Sequence, residues 1–222
     1  MIRKKENIVA IIQARNGSNR LKGKIMKDLA HGVPLIGMVV KRARETSLVG
    51  LVVVATTENP EDDRLVQWCN ENKIEVFRGS EENVLDRYYK CAIKHNAEII
   101  VRITADDPFK DPKVNDRAIK LLIDNNYDYV SNTISPSYPE GLDIEVFTFA
   151  ALKNAYENAV LESEKEHVTP YIWKNKDKFK IFNFAHSENI SHLRWTIDYE
   201  EDLEFVRHIC RKLDNSNSFL MK

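Results

Sequence analysis

Short β-branched apolar runs recur along this chain, each followed by a helix-length amphipathic stretch, and that alternation restricts the folds open to it. Asn7 to Gln13 (NIVAIIQ), Leu51 to Thr57 (LVVVATT), Ile74 to Phe77 (IEVF) and Glu98 to Thr104 (EIIVRIT) have the length and side chains of buried strands. Between them lie helical spacings. Leu35, Met38, Val39 and Arg42 mark a helix from Pro34 to Glu45. Leu65, Val66 and Cys69 follow an Asn59-Pro60 start, and Val84, Tyr88, Cys91, Ala92 and His95 mark a third helix. Asp111 and Pro112 open a fourth. Strands that are apolar throughout must be covered on both faces. The pattern therefore predicts an α/β protein with a mostly parallel sheet and helices on both faces.

A fifth strand begins in YDYVSN (Tyr127 to Asn132), and after it the rhythm changes. TISPSYPEGLDIEVF predicts a long loop leading into a strand at Asp143 to Phe147. Helices are expected around Phe149 to Leu161 and Glu164 to Lys174. FKIFNFAH and HLRWTID read as strands, and Tyr199 to Lys212 reads as the last helix. The organisation expected is one domain over residues 1–222, with residues 133–186 as an irregular, aromatic arm. The tail DNSNSFLMK is expected to fray.

With 33 Lys and Arg against 34 Asp and Glu, the net charge of −1 gives no global attraction to nucleic acid or membrane. No run reaches the ~18 apolar residues of a membrane-spanning helix. The apolar run Ile8 to Ile12 is too short for a signal peptide, and Arg15 follows at once. Cys69, Cys91 and Cys210 lie far apart with no C-x-x-C pair, which indicates neither a disulfide framework nor a zinc knuckle. A soluble protein of the cytoplasm is expected.

Against that balance, Ala14 to Lys24 carries Arg15, Arg20, Lys22 and Lys24 with no acid among them. The loop leaves the carboxyl end of the first strand, where open α/β sheets bind ligands. It is not G-x-G-x-x-G, and Ile25 stands where a P-loop needs Ser or Thr. In R-x-G-S-x-R-L-x-G-K, Gly17 lets backbone N–H groups approach an anion, Ser18 adds a donor, and Arg and Lys supply charge, so the partner that fits is a polyphosphate. Composition alone also allows a solvated basic turn.

Several acidic and polar positions complement the loop. Asp106 and Asp107 follow the fourth strand; adjacent carboxylates repel, and at that edge they suit a hard cation. Asp107 also suits a turn cap before Pro108. Asp198 and Glu201 form a D-x-x-E capping-box pattern, compatible with metal ligation by the same aspartate. Arg78 and Ser80 suit a nucleobase, or Arg78 pairs with Glu81 or Glu82. Asp86 and Arg87 suit a helix-surface pair.

In SYPEGLDIEVF, Tyr138 and Gly141 precede Asp143 and Glu145, which share one strand face. Those carboxylates suit sugar hydroxyls, or an edge strand in solvent. Glu166 and His167 stand together at an expected helix start, where His167 is either a ligand of the acceptor or structural. His186 and His192 flank a turn without metal spacing. Arg194 suits an acidic acceptor group, or an ion pair on the sheet.

Taken in order, ARNGSNRLKGK, FRGSEENVLDRYY, VRITADDPFKDP, YVSNT, YPEGLDIEVF, EHVTPYI and LRWTIDYEEDLEF resemble the cytidylyltransferases that make CMP-activated acidic sugars, CMP-Kdo synthetases among them. The resemblance covers nearly the whole chain and is strongest to the spore coat polysaccharide biosynthesis branch. Lys22 stands where that branch has proline, Ala105 where the wider family has glycine, and Tyr199-Glu200 where it has Thr-Pro.

The resemblance implies a Rossmann-like sheet of the nucleotide-diphospho-sugar transferase type, with residues 133–186 binding the acceptor and pairing two subunits of a homodimer. It implies transfer of CMP from CTP to an acidic sugar or related phosphorylated acceptor, with release of pyrophosphate, for surface polysaccharide or glycoconjugate synthesis. The nucleotide would meet Ala14, Arg15, Gly17, Ser18, Arg20, Lys24, Arg78, Ser80 and Asp106. Mg2+ would sit on Asp106 and Asp198, with Arg15 and Lys24 completing the catalytic set. The acceptor would meet Tyr138, Gly141, Asp143, Glu145, Glu166, His167 and Arg194. No nucleic acid or membrane partner is implied. A guanylyltransferase using GTP, a GT-A-type glycosyltransferase and a non-catalytic anion-binding module remain the other readings. A glycosyltransferase would usually carry D-x-D, and a binding module leaves the two aspartates unexplained.

Overall fold

In β1 (Ile8–Gln13) the side chains alternate between two separate cores: Ile8, Ala10 and Ile12 enter one, Val9 and Ile11 the other. A central strand of this kind needs layers on both sides. The structure is a computed structural model that describes residues 7–18 and 20–213. The tail expected to fray, residues 214–222, lies outside the described residues.

Beside β1 stand β4 (Leu51–Thr57) and β5 (Glu75–Gly79) on one side and β6 (Ile99–Thr104) on the other, all parallel. The earlier β2 (Asp28–Ala30) and β3 (Val33–Pro34) form a small antiparallel ribbon apart from the sheet, turned by His31 and Gly32 at φ 55 and 77. Beyond β6 come β7 (Tyr129–Ser131), β8 (Glu145–Thr148) and β9 (Ile181–Asn183), giving the order β5-β4-β1-β6-β8-β7-β9. Strand β8 enters antiparallel between β6 and β7.

Helices α1 (Leu35–Arg44), α2 (Asp63–Glu71), α4 (Pro112–Asn125) and α8 (Glu200–Lys212) bury apolar residues in the first core. Helices α3 (Val84–Lys94), α5 (Phe149–Asn158) and α7 (Pro170–Lys174) bury theirs in the second. The expected α/β architecture is the observed one. No helix of the described residues is long and apolar enough to cross a membrane.

Four local expectations differ. Residues 133–186 supply β8 to the middle of the sheet and β9 to its edge, so they are woven into it. The strand expected from Asp143 starts at Glu145. The helix expected over Glu164 to Lys174 is two helices, α6 (Glu162–His167) and α7, so Glu166 and His167 end a helix. They are parted at Val168, φ 71 and ψ −54, where Thr169 N donates to His167 O at 2.8 Å. This is the rare, strained form of γ-turn, held here by a fully buried valine. Finally, HLRWTID forms no ladder. Trp195 N donates to Glu140 O at 2.8 Å and Ile197 N to Asp106 O at 3.0 Å, so the segment is pinned to two loops instead.

Candidate active site

Chain order reverses at β1, which has β4 on one side and β6 on the other, and Gln13 pairs with Thr104 where both strands end. Crevices at such switch points are where open α/β sheets take ligands. A cleft of about 420 Å³ opens there, walled by the basic loop from Ala14 to Lys24 and by Thr104, Ala105 and Asp106. Arg15, Gly17, Ser18, Arg20 and Lys24 all line it. Arg15 is half-exposed and stands 3.6 Å from Glu81.

The loop is held by a residue that the sequence reading passed over. Asp62, 2% exposed, accepts from Asn16 N at 2.7 Å through one carboxylate oxygen, and from Thr57 N at 3.3 Å and the Thr57 hydroxyl through the other. Gly23, at φ 65, returns the chain toward Asn16 O, to which its N–H donates at 3.3 Å. Asp62→Ala should lose about 1–3 kcal/mol of stability, the cost of buried donors left unpaired. It should also free the loop that walls the cleft, raising KM for the ligand of that cleft more than it lowers kcat. Denaturant titration and initial rates would read both.

Lys24 crosses under the cleft, almost wholly buried. Its Nζ donates to Asp106 Oδ2 at 3.0 Å, Asp198 Oδ1 at 3.0 Å and Ile197 O at 2.7 Å. Asp198 also takes Arg20 Nη2 at 2.7 Å on Oδ1 and Arg194 Nη2 at 2.8 Å on Oδ2. The capping box expected of Asp198 and Glu201 is not formed. Tyr199 is the N-cap of α8, and Asp202 Oδ2 accepts from Asp198 N at 2.8 Å and Tyr199 N at 2.9 Å. The Asp198 side chain is thereby left to face the three cations.

Among the described residues no group of three or more His, Cys, Asp and Glu could hold a metal ion. Two carboxylates beneath a phosphate-type loop nevertheless suit magnesium, which usually takes one or two carboxylates and completes its shell with phosphate oxygens and water. The donor set therefore fits Mg2+ delivered with a polyphosphate. Burial pushes the Cys69 and Cys91 thiols up to about 12, which removes both as nucleophiles at neutral pH.

A second cavity of about 340 Å³ shares Thr104 with the first. Asp143, Glu145 and His167 reach it, joined by Arg102, Lys110, Thr133, Thr169 and Trp173, which the sequence reading did not single out. Glu145 is buried and saturated: it pairs with Arg102, and it accepts from the Tyr129 hydroxyl at 2.6 Å and from the Thr169 hydroxyl. Burial and the Glu145 carboxylate hold the Tyr129 phenol well above its usual range.

A cytidylyltransferase family model matches residues 9–218. The chain belongs to the cytidylyltransferase family. It is 34% identical over 213 residues to the spore coat polysaccharide biosynthesis protein SpsF of Bacillus subtilis, covering 93% of this chain and 87% of that one. It is 38% identical over 121 residues to a 3-deoxy-manno-octulosonate cytidylyltransferase of Geobacter sulfurreducens, a match covering 54% of this chain and 46% of the relative. The solved structure of a cytidylyltransferase from Leptospira borgpetersenii superposes with a TM-score of 0.90 at 34% identity, over 96% of this chain and 90% of that one.

In this cytidylyltransferase the remaining expected residues lie elsewhere. Arg78 clasps the connection after β4: its guanidinium donates to Thr57 O at 2.9 Å and Asn59 O at 3.0 Å and pairs with Asp63 at 2.7 Å. Ser80 Oγ accepts from Asn83 N at 3.0 Å ahead of α3. Neither lines the cleft. Tyr138 packs edge-on against Phe184 and His186 in the core and accepts from Arg117 Nη1 at 3.0 Å. Gly141, at φ 103, is where a Cβ would stand 2.9 Å from the Trp195 carbonyl carbon, so glycine there lets two loops pass.

Glu166 is exposed at the end of α6. Arg194 pairs with Glu140, Asp198 and Asp202, and so positions Asp198. Asp107 is buried and turned to Lys110 at 2.9 Å and to the Thr104 hydroxyl at 2.7 Å. Burial alone would raise its carboxyl; Lys110 and the hydroxyls outweigh that and hold it below the usual carboxylate range.

Proposed function

We propose that this cytidylyltransferase transfers CMP from CTP to a hydroxyl oxygen of an acidic sugar or related phosphorylated acceptor, releasing pyrophosphate, in a magnesium-dependent reaction of surface polysaccharide or glycoconjugate synthesis. The observation that carries this reading is the buried Lys24 bridging Asp106 and Asp198 beneath the basic loop, beside a second polar cavity. The relatives named for spore coat polysaccharide and for 3-deoxy-manno-octulosonate support it.

In the reaction, the acceptor oxygen forms a bond to the α-phosphorus while the bond to the α,β-bridging oxygen breaks, and the acceptor proton is lost to solvent or a nearby base. The loop amides and Ser18 bind the polyphosphate, and Arg15 and Arg20 neutralise charge as pyrophosphate forms. Lys24 fixes the separation of the two aspartates, which would hold Mg2+. When bound, that ion supplies Lewis-acid neutralisation of phosphate oxygens. Arg194 and Asp202 hold the Asp198 carboxylate in place.

Pyrophosphate release should require CTP, Mg2+ and a sugar acid together. Calorimetry with Mg2+ present should rank CTP above GTP and ATP. Tighter GTP binding would move the assignment to a guanylyltransferase.

A further inference from the structure

The turn that follows Ile197 faces the basic loop residue by residue. Asp198 Oδ1 meets Arg20 Nη2 at 2.7 Å and Lys24 Nζ at 3.0 Å. Glu200 stands 3.4 Å from Lys27. Between these two acids, the Tyr199 ring supports the Arg20 guanidinium, whose Cζ lies 5.6 Å from the ring centroid. Three consecutive side chains thereby meet the cations at positions 20, 24 and 27. Packing does not explain the tyrosine. Its ring is 49% exposed and belongs to neither apolar core among the described residues. Its backbone, however, is fixed: Tyr199 N donates to Asp202 Oδ2 at 2.9 Å, and Tyr199 O accepts from Leu203 N at 3.2 Å. Arg20 is the opposite case, a long half-exposed side chain. The carboxylate it reaches is divided among three cations, Arg20, Lys24 and Arg194.

We propose that Tyr199 is a positioning residue for the triphosphate, and that its side chain holds the Arg20 guanidinium in the orientation in which Arg20 meets phosphate oxygens. This rests on the reading that the first cleft, which Arg20 lines, takes the nucleoside triphosphate. An arginine that must be ordered on binding gives up rotamer freedom at that moment, whereas one held beforehand has already lost it. Asp198 supplies a point of attachment about which a planar guanidinium can turn. A ring face sets the plane. The face also leaves the N–H groups at the guanidinium edge to phosphate oxygens. A carboxylate in the place of the ring would hold Arg20 as well, but it would repel the incoming triphosphate.

The test is a double-mutant cycle in CTP affinity, read by calorimetry with Mg2+ present on the wild type, Tyr199→Leu, Arg20→Met and the double variant. Tyr199→Leu should weaken CTP binding about three- to fivefold, the scale of an exposed cation–π contact. Its melting temperature should stay nearly unchanged, because the ring lies outside both cores. Tyr199→Phe, which keeps the ring, should lie nearer the wild type than Tyr199→Leu. In the Arg20→Met background the leucine substitution should change nothing further. A tyrosine that only supported the fold would not show this dependence on Arg20. Full CTP affinity in Tyr199→Leu would overturn the proposal. So would an equal loss with and without Arg20, which would put the ring on the ligand itself. Both results leave the function standing. Failure of the wild-type protein to bind CTP would overturn the function beneath it.

Discussion

Lys24→Met should nearly silence the enzyme and make its stability respond to magnesium. Methionine keeps the length and apolar stem of lysine but leaves Asp106 Oδ2, Asp198 Oδ1 and Ile197 O facing one another without the donor they now share. Removing one partner of a buried ion pair costs about 3–5 kcal/mol. Arg20 and Arg194 still reach Asp198, so the lower end of that range is expected. Turnover should fall by about 10²–10³, the scale for losing a fixed positive group from a site where charge develops. Added Mg2+ should raise the melting temperature of the variant and leave that of the wild type nearly unchanged. Identical magnesium responses in the two proteins would mean that Lys24 does not compensate these carboxylates.

Asp198→Asn should be as damaging as Asp198→Ala, in stability as well as in rate. Were Asp198 the helix cap, asparagine would replace it at almost no cost. The cap belongs to Asp202, and Asp198 instead receives Arg20, Lys24 and Arg194. Either substitution leaves three cations around a neutral group and should cost about 3 kcal/mol. Activity should drop by at least about 10², and the magnesium concentration for half-maximal rate should rise. Asp202→Ala, by contrast, should lose the cap, about 1 kcal/mol, and loosen Arg194. Denaturant unfolding of the three variants separates the roles. A wild-type midpoint for Asp198→Asn beside a lowered one for Asp198→Ala would return the cap to Asp198.

Periodicity made β1, β4 and β6 legible because each is a short, mainly β-branched apolar run, interrupted by a charge only at Arg102, and the unbalanced basic loop marked the cleft because its charges are close in sequence. Strand direction is not a local property, so nothing in DIEVF announces that β8 runs against its neighbours. The break at Val168 was hidden because a β-branched residue at positive φ contradicts its own preference and is set by tertiary packing. The cap was displaced by one position: Asp198 and Glu201 fit the spacing, but Tyr199 and Asp202 fit the backbone. Arg78 and Arg194 carry no label for their partners. Arg194 meets one of its three acids 54 positions away, at Glu140. Lys110, three positions after Asp107, had the spacing of a pair and was readable as one.

The bond from Ile197 to the carbonyl of Asp106 and the reach of Lys24 to Asp198 join segments separated by 91 and 174 positions. This spacing sets a timetable for synthesis. Among the described residues the last strand ends at Asn183, yet at that point the support beneath the cleft, where Lys24 meets Asp198 and the Ile197 carbonyl, is still missing. At ordinary elongation rates, roughly 5–20 s pass between the emergence of Asp106 and that of Asp198. Through that interval Lys24 has one of its two carboxylates and no lid of backbone. A chain ending just short of Ile197 would therefore hold every described strand of the sheet and still lack two of the three acceptors that fix Lys24 under the cleft.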